Sequence, residues 1–441
     1  IKRQAIPAGQ ASLRLRFDAG SLMETDAQQG LAHFLEHMAF NGSKNVPEGE
    51  MVKILERHGL AFGADTNAST NFDETVYKLD LPKTDDDTVD TSLKLLREAS
   101  SELTLAQTAV DRERGVVLSE ERASDSPAYR VFKQRLNFLL PGQRMPTRLP
   151  IGKVDILQKA QAGLIADFYH HYYRPERATL VAVGDFDPAA MEAKIRAKFG
   201  DWQDVGPAGP EPDLGTVKAR NTEAKLVVEA GAPLSLQVTW VRPPDLRADR
   251  LAKRRSDMIE QLGFAVLNRR LSALARSPHP PFLGAVAFKS DQGHSAELTM
   301  LNLVAQADGW REALAAVDEE ERRAVKYGVR QDELDREIAE VRATAQAAVA
   351  GAATRRPAQI ADEIVNSLGD QEVVTSPAED LAIFESTVKD LKADTVSAAL
   401  KNAFAGEGPL VFMSSPKPVA GGEPAILAEY AAAQKLAVAA P

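Results

Sequence analysis

The sequence predicts an α+β chain of two similarly ordered halves, each a set of strands packed with helices. Three observations carry this. Strand-like and helix-like patterns occur in both halves, and each half carries a late short strand, at 178–186 and at 410–415. Residues 201–215 (DWQDVGPAGPEPDLG) are dense in Pro, Gly and acid and break the chain near its middle. The length of 441 residues suits about two domains at roughly 100–200 residues each. The expected division is a first domain at 1–205, a linker at 206–215, a second domain at 216–430 and an Ala-rich linker tail at 431–441.

The elements follow in order. ASLRLRF (11–17) alternates apolar and polar residues, the mark of a half-buried strand. Thr25 or Asp26 is placed to cap a helix through GLAHFLEHMAF, which Asn41-Gly42 stops. PEGEMVKILERHG reads as a second helix, with Pro47 near its first turn and Gly59 past its end. Residues 62–81 read as two strands around a polar turn. Helices are expected at 86–100 and 106–124, then a Pro/Gly-rich connection at 141–152, a helix at 154–172, the strand at 178–186 and the helix PAAMEAKIRAKFG. In the second half, strands at 225–230 and 235–242 precede a long helix at 249–276. Two strands at 283–303, helices over 308–405 and the last strand complete it.

Composition removes several function classes. The net charge of −10 gives no basic stripe, so no nucleic-acid partner is expected. The absence of cysteine excludes disulfides, thiolate metal sites and a cysteine nucleophile. No run approaches the ~18 apolar residues of a membrane span. The chain starts at Ile1 rather than Met, so the expectation is a processed or trimmed N-terminus, with any targeting signal outside the sequence.

Two of the seven histidines lie in His33-Phe34-Leu35-Glu36-His37. Positions i and i+4 of a helix share one face, about 6 Å apart along the axis, so both imidazoles can hold one ion. Two neutral nitrogens suit zinc, with an open position for water and Glu36 as its base. This is H-x-x-E-H, the reverse order of H-E-x-x-H. A catalytic zinc needs a third protein ligand. The candidates are Glu113 and Glu120, two turns apart on one stripe of the 106–124 helix; spacing alone does not choose between them. His170 and His171 are adjacent on a helix and point apart, and His279 sits in a Pro-rich loop.

HFLEHMAFNG (33–42), Asn67-Ala68-Ser69-Thr70 with Glu74-Thr75-Val76-Tyr77, and ERGVVLSEE (113–121) together resemble the pitrilysin/insulinase family of inverzincins. Pro150-Ile151-Gly152 and FYHHYYRPERATLVAVGDFD (168–187) resemble further landmarks of that family. The resemblance is strong over about residues 10–200. It implies two homologous domains, each a mixed, mostly antiparallel sheet packed with helices, forming a half-clamshell. It implies Zn2+ held by His33, His37 and Glu120, with Glu36 as catalytic base and Glu113 supporting the site. The gap from His37 to Glu120 is longer than the family leads one to expect, and the acidic stretch at 82–90 is the expected place of an extra loop. By the same resemblance, Asn67, Ala68, Ser69 and Thr70 form an edge strand that binds substrate as an added strand. The implied activity is a zinc metalloendopeptidase acting on short or unfolded peptides. The alternative is a non-catalytic or partner subunit of the same fold. The implied partner is a second half-clamshell, from the same chain or another subunit. The expected compartment is the periplasm, with the cytoplasm as alternative, since a Cys-free chain suits either.

Overall fold

A computed structural model describes residues 1–306 and 308–441. The chain forms two compact units, each built on one five-stranded mixed sheet. Neither unit is continuous in sequence. The first comprises residues 1–124, 147–213 and 350–374; the second comprises 125–146, 214–349 and 375–441.

The first unit holds β1 (Lys2–Arg3), β2 (Ala11–Phe17), β3 (Thr66–Thr70), β4 (Thr75–Leu81) and β5 (Ala178–Gly184), in sheet order β1-β5-β2-β4-β3. Only the β1–β5 pair is parallel. Leu13, Leu15 and Phe17 point from one face of β2 into a core with Phe34, Leu35 and Phe168. Burying such a side chain contributes roughly 1.5–3 kcal/mol. The alternation of β2 predicts a solvated second face, yet all seven of its residues are buried. The reason lies far along the chain. The helix Pro357–Gly369 crosses that face and packs Ile360, Ala361 and Val365 against Val76, Val181 and Val183. Arg14, 1 % exposed, donates from Nη1 to Asp80 (2.7 Å) and from Nε to Asp362 on that helix (2.8 Å). An arginine so placed needs both partners, because a buried unpaired charge is costly.

Three further elements differ from expectation. The helix expected at 154–172 is two, Val154–Lys159 and Ala162–Tyr172. Pro127–Leu139 forms a helix the sequence reading passed over, although Ser126 caps Tyr129 N–H and Pro127 opens the first turn. The acidic stretch at 82–90, expected to hold an extra loop, is a short connection at 82–85 that runs straight into a helix. Asp85 caps the helix Asp86–Ser101, and Asp86 and Asp87 sit in its first turn, where the helix dipole favours negative charge.

The second unit holds β6 (Glu223–Val228), β7 (Ser235–Arg242), β8 (Gly284–Asp291), β9 (Glu297–Val304) and β10 (Glu407–Ser415), in order β6-β10-β7-β9-β8. Only β6–β10 is parallel. Strand for strand, this is the topology of the first sheet. The long helix Leu251–Ala275 packs Leu262, Val266 and Leu267 on one face of the sheet core. Residues 431–441, expected as a linker tail, end the helix Gly422–Ala433 and then pack down. Val438 is buried, and the carbonyls of Leu436, Val438 and Ala439 accept from Arg322, Tyr327 and Arg323. Among the described residues no helix is long and apolar enough to cross a membrane.

Candidate metal centre

The histidines sit on the short helix Leu31–Met38, almost wholly buried. Its start is built from residues the sequence reading did not choose. Thr25 and Asp26 belong to a separate single turn at Asp26–Gln28. The cap is the buried Glu24, whose carboxylate accepts from Gly30 N–H (3.0 Å) and Ala32 N–H (2.8 Å). Burial pushes the Glu24 carboxyl up to about 8, against these bonds and nearby Arg148. Gly30 has φ +98° and touches Gly152: a Cβ on Gly152 would lie 2.3 Å from Gly30 Cα. That close approach gives the Pro150-Ile151-Gly152 segment a physical role in seating the helix. At the other end Gly42 has φ +106°, as Asn41-Gly42 predicts for a stop.

His33 Nε2 and His37 Nε2 lie 3.3 Å apart. Glu120, on the helix Gln107–Ser124, brings Oε1 to 3.6 Å from His33 Nε2 and Oε2 to 3.3 Å from His37 Nε2. A tetrahedral ion with ligands at about 2.0–2.1 Å has ligand–ligand edges of about 3.3–3.4 Å, so this triangle fits zinc. Among the described residues it is the only such convergence of His, Asp or Glu ligand atoms.

Glu113 lies elsewhere on the same helix face. Its Oε1 is 2.8 Å from His37 Nδ1, and its Oε2 accepts from Asn41 Nδ2 (3.0 Å), which also donates to the His37 carbonyl (3.0 Å). A carboxylate on Nδ1 fixes the tautomer that leaves the Nε2 lone pair free for a metal. Burial and the neighbouring His37 push His33 down to about 4, so its imidazole is neutral at pH 7. Burial lowers His37 too, but the Glu113 bond and three surrounding carboxylates outweigh it and raise its pKa. Glu113 is held below the usual range, burial being outweighed by its bonds to His37 and Asn41. His33 Nδ1 is buried with no partner among the described residues.

Glu36 projects to the same side. Thr70 Oγ1 donates to its Oε2 at 2.6 Å, while burial raises its pKa against that bond. Thr70 ends β3, an edge strand paired only with β4 apart from a bridge at Phe62–Thr66. Asn67 is exposed on it, and Ala68, Ser69 and Thr70 are half-buried. Sequence reasoning missed Glu24 and read Asn41 only as a turn residue; an Asn four residues after a ligand histidine was the available signal.

A family model described as Insulinase (Peptidase family M16) matches residues 2–144, and one described as Peptidase M16 inactive domain matches 159–341. The chain belongs to the M16 insulinase family. His33, Glu36, His37, Glu113 and Glu120 all fall within the first match. The probable zinc protease PqqL of Haemophilus influenzae is 31 % identical over 273 residues, covering 62 % of this chain and 29 % of that protein. The first half of the periplasmic protease PqqL from Escherichia coli superposes with a TM-score of 0.91 at 24 % identity, covering 100 % of this chain and 95 % of that one. Against the whole Escherichia coli protease the TM-score is 0.90, at 24 % identity, with 99 % of this chain and 48 % of that chain covered. The chain thus has the fold of about half of that protease, and its relatives at the family level are zinc metallopeptidases.

Proposed function

We propose that this chain is the zinc-holding half of a metalloendopeptidase that hydrolyses peptide bonds in short or unfolded peptides. The observation that supports it most is the triangle of His33 Nε2, His37 Nε2 and the Glu120 carboxylate, with edges of 3.3–3.6 Å, beside Glu36. Zinc bound by these residues would polarise a carbonyl and lower the pKa of water. Glu36 takes a proton from the attacking water and returns it to the leaving amine. Thr70 holds one Glu36 oxygen and so leaves the other to carry that proton. Glu113 and Asn41 keep the His37 ring in place. An extended substrate adds to β3 through main-chain bonds, from Asn67 to Thr70, which gives affinity without strict sequence choice. The second half-clamshell and a periplasmic location, like that of the Escherichia coli relative, complete the reading.

The test uses the chain together with its complementing half. The wild type is expected to carry about one zinc per chain and to cleave an unfolded peptide. Glu36→Gln should keep zinc and lose about 10²–10⁴-fold in rate. His37→Ala should lose both. No zinc uptake on titration, or wild-type cleavage by Glu36→Gln, would overturn the reading.

A further inference from the structure

The second sheet carries a feature that catalysis at the zinc triangle leaves unused. One face of it presents Phe412, Gln237, Asn302 and Val286 in a row across β10, β7, β9 and β8, by the register of their pairings. The row beside it runs through Ser235, Val304 and Gly284. The corresponding face of the first sheet is closed by the Pro357–Gly369 helix, which leaves Val76 only 2 % exposed. Here the covering helix is Pro127–Leu139. It sits over the β10 side, with Phe138 6.2 Å from Phe412 and Arg135 Nη1 3.3 Å from Gln237 Oε1. The β9–β8 side stays bare: Val286 is 43 %, Val304 40 % and Leu283 63 % exposed. The result is a groove of about 670 Å³, a size that holds a small organic molecule or a few residues of chain.

Two polar groups in this apolar groove are incompletely satisfied among the described residues: Arg135 has no counter-charge and Asn302 Oδ1 has no donor. Among the described residues that line the groove, Arg135 alone is charged. Besides Gln237, it touches the Phe132 ring at 5.7 Å, and among the described residues no carboxylate forms an ion pair with it. Burial works against its charge with no acid to offset it. Asn302, across the sheet from Gln237, has a buried Oδ1 with no hydrogen-bond partner among the described residues. A cation waiting for an anion, next to an acceptor waiting for a donor, above an apolar floor, matches one end of a peptide. Every C-terminus offers such a pair, a terminal carboxylate and the amide N–H of its own residue.

We propose that this groove binds the C-terminal end of an apolar peptide, with the terminal carboxylate on Arg135 and a main-chain N–H on Asn302 Oδ1. The choice of a peptide rests on the proposed function, but binding here needs neither zinc nor Glu36. Both groups are held on regular elements, so the anchor is built before the ligand arrives. Charge-assisted, two-pronged contacts of guanidinium with carboxylate are about twice as strong as neutral hydrogen bonds. The groove would thus hold one end of a peptide while the rest of its length remains free to reach other parts of the protein.

The experiment measures binding without turnover, on the full chain stripped of metal. An N-acetylated tetrapeptide of Ala and Leu is titrated as its free acid and as its C-terminal amide, by calorimetry. The acid is expected to bind at least about tenfold more tightly than the amide, in line with a hydrogen-bonded charge. Arg135→Met should erase that difference, and Arg135→Lys should restore part of it. Leu283→Asp, on an exposed position, should weaken the acid more than the amide. Equal affinity of acid and amide, or a preference that survives Arg135→Met, overturns the proposal; the ligand comparison does so without any variant. Dodecanoate binding as tightly as the peptide acid would assign the groove to fatty acids and also overturn it. A chain that binds the acid selectively yet, with zinc and its complementing half restored, cleaves nothing would retire the proposed function and leave this site standing.

Discussion

Replacing Glu113 by Ala removes one bond that the zinc reading depends on, and its effect can be worked out. The bond is 2.8 Å long, runs to His37 Nδ1, and both side chains are only 17 % exposed, so solvent screens it weakly. Loss of such a partner behind a metal-binding histidine costs on the order of 10–100-fold in affinity. That is about 1.4–2.7 kcal/mol at 1.36 kcal/mol per decade. A second effect opposes it. Glu113 helps to raise the pKa of His37, so removing it makes the proton that competes with metal easier to displace. The net loss should therefore be largest near pH 8 and shrink near pH 6.5. Glu120→Ala removes oxygens 3.3 and 3.6 Å from the two Nε2 atoms and should weaken zinc more at both pH values. Competition with a chromophoric chelator reads all three affinities. A larger loss for Glu113→Ala than for Glu120→Ala, or a gap that widens as the pH falls, would refute the reasoning.

Other consequences follow from the seat of the site helix and from the covered sheet. Gly152→Ala at φ +80° pushes its Cβ to 2.3 Å from Gly30 Cα and should lower both the melting temperature and zinc affinity, whereas Gly163→Ala, with nothing within 4 Å, should stabilise its helix by about 0.5–1 kcal/mol. Glu24 is raised to about 8 in the fold, so its stability contribution is complete below the ordinary carboxylate pKa and is lost as the pH climbs toward 8. Glu24→Gln should accordingly flatten the fall in urea stability between pH 5 and pH 8; an unchanged slope would remove Glu24 as its source. Asp362→Ala strands the buried Arg14 Nε and should cost about 1–3 kcal/mol in urea unfolding, while Asp80 still holds Nη1.

Local signals made much of this legible. The alternation of ASLRLRF, the i,i+4 spacing of His33 and His37 and the Asn41-Gly42 stop are written within a few residues, and β2, the site helix and its end follow them. What failed to show depends on distant partners. Ser12, Arg14 and Arg16 look like a wet face because the helix that covers them comes some 350 residues later. Glu24 looks like an ordinary surface acid until the chain folds back and it caps Gly30 and Ala32. Two carboxylates seven residues apart share a stripe, and spacing cannot say which reaches Nε2 and which Nδ1; only the crossing of the two helices sets Glu120 against the former and Glu113 against the latter. The helix at Pro127–Leu139 does carry a local mark, Ser126-Pro127, but the strand residue it meets, Phe412, lies far along the chain.

The exchange of segments between the units bears on how the chain is made. A ribosome delivers residues in order, at about 5–20 per second. Every strand of the first sheet has emerged by Gly184, but its second face is not closed until Gly369. For on the order of ten to thirty seconds of synthesis, the segment that covers Val76, Val181 and Val183 has yet to be made. Helix Pro127–Leu139 waits longer still, because Phe412, the residue its Phe138 meets, is among the last to appear. The arginines on β2 then serve during synthesis as well as after it. While the partner helix is missing, Arg14 and Arg16 place fixed charge in the middle of an apolar face, which discourages its pairing with another nascent chain.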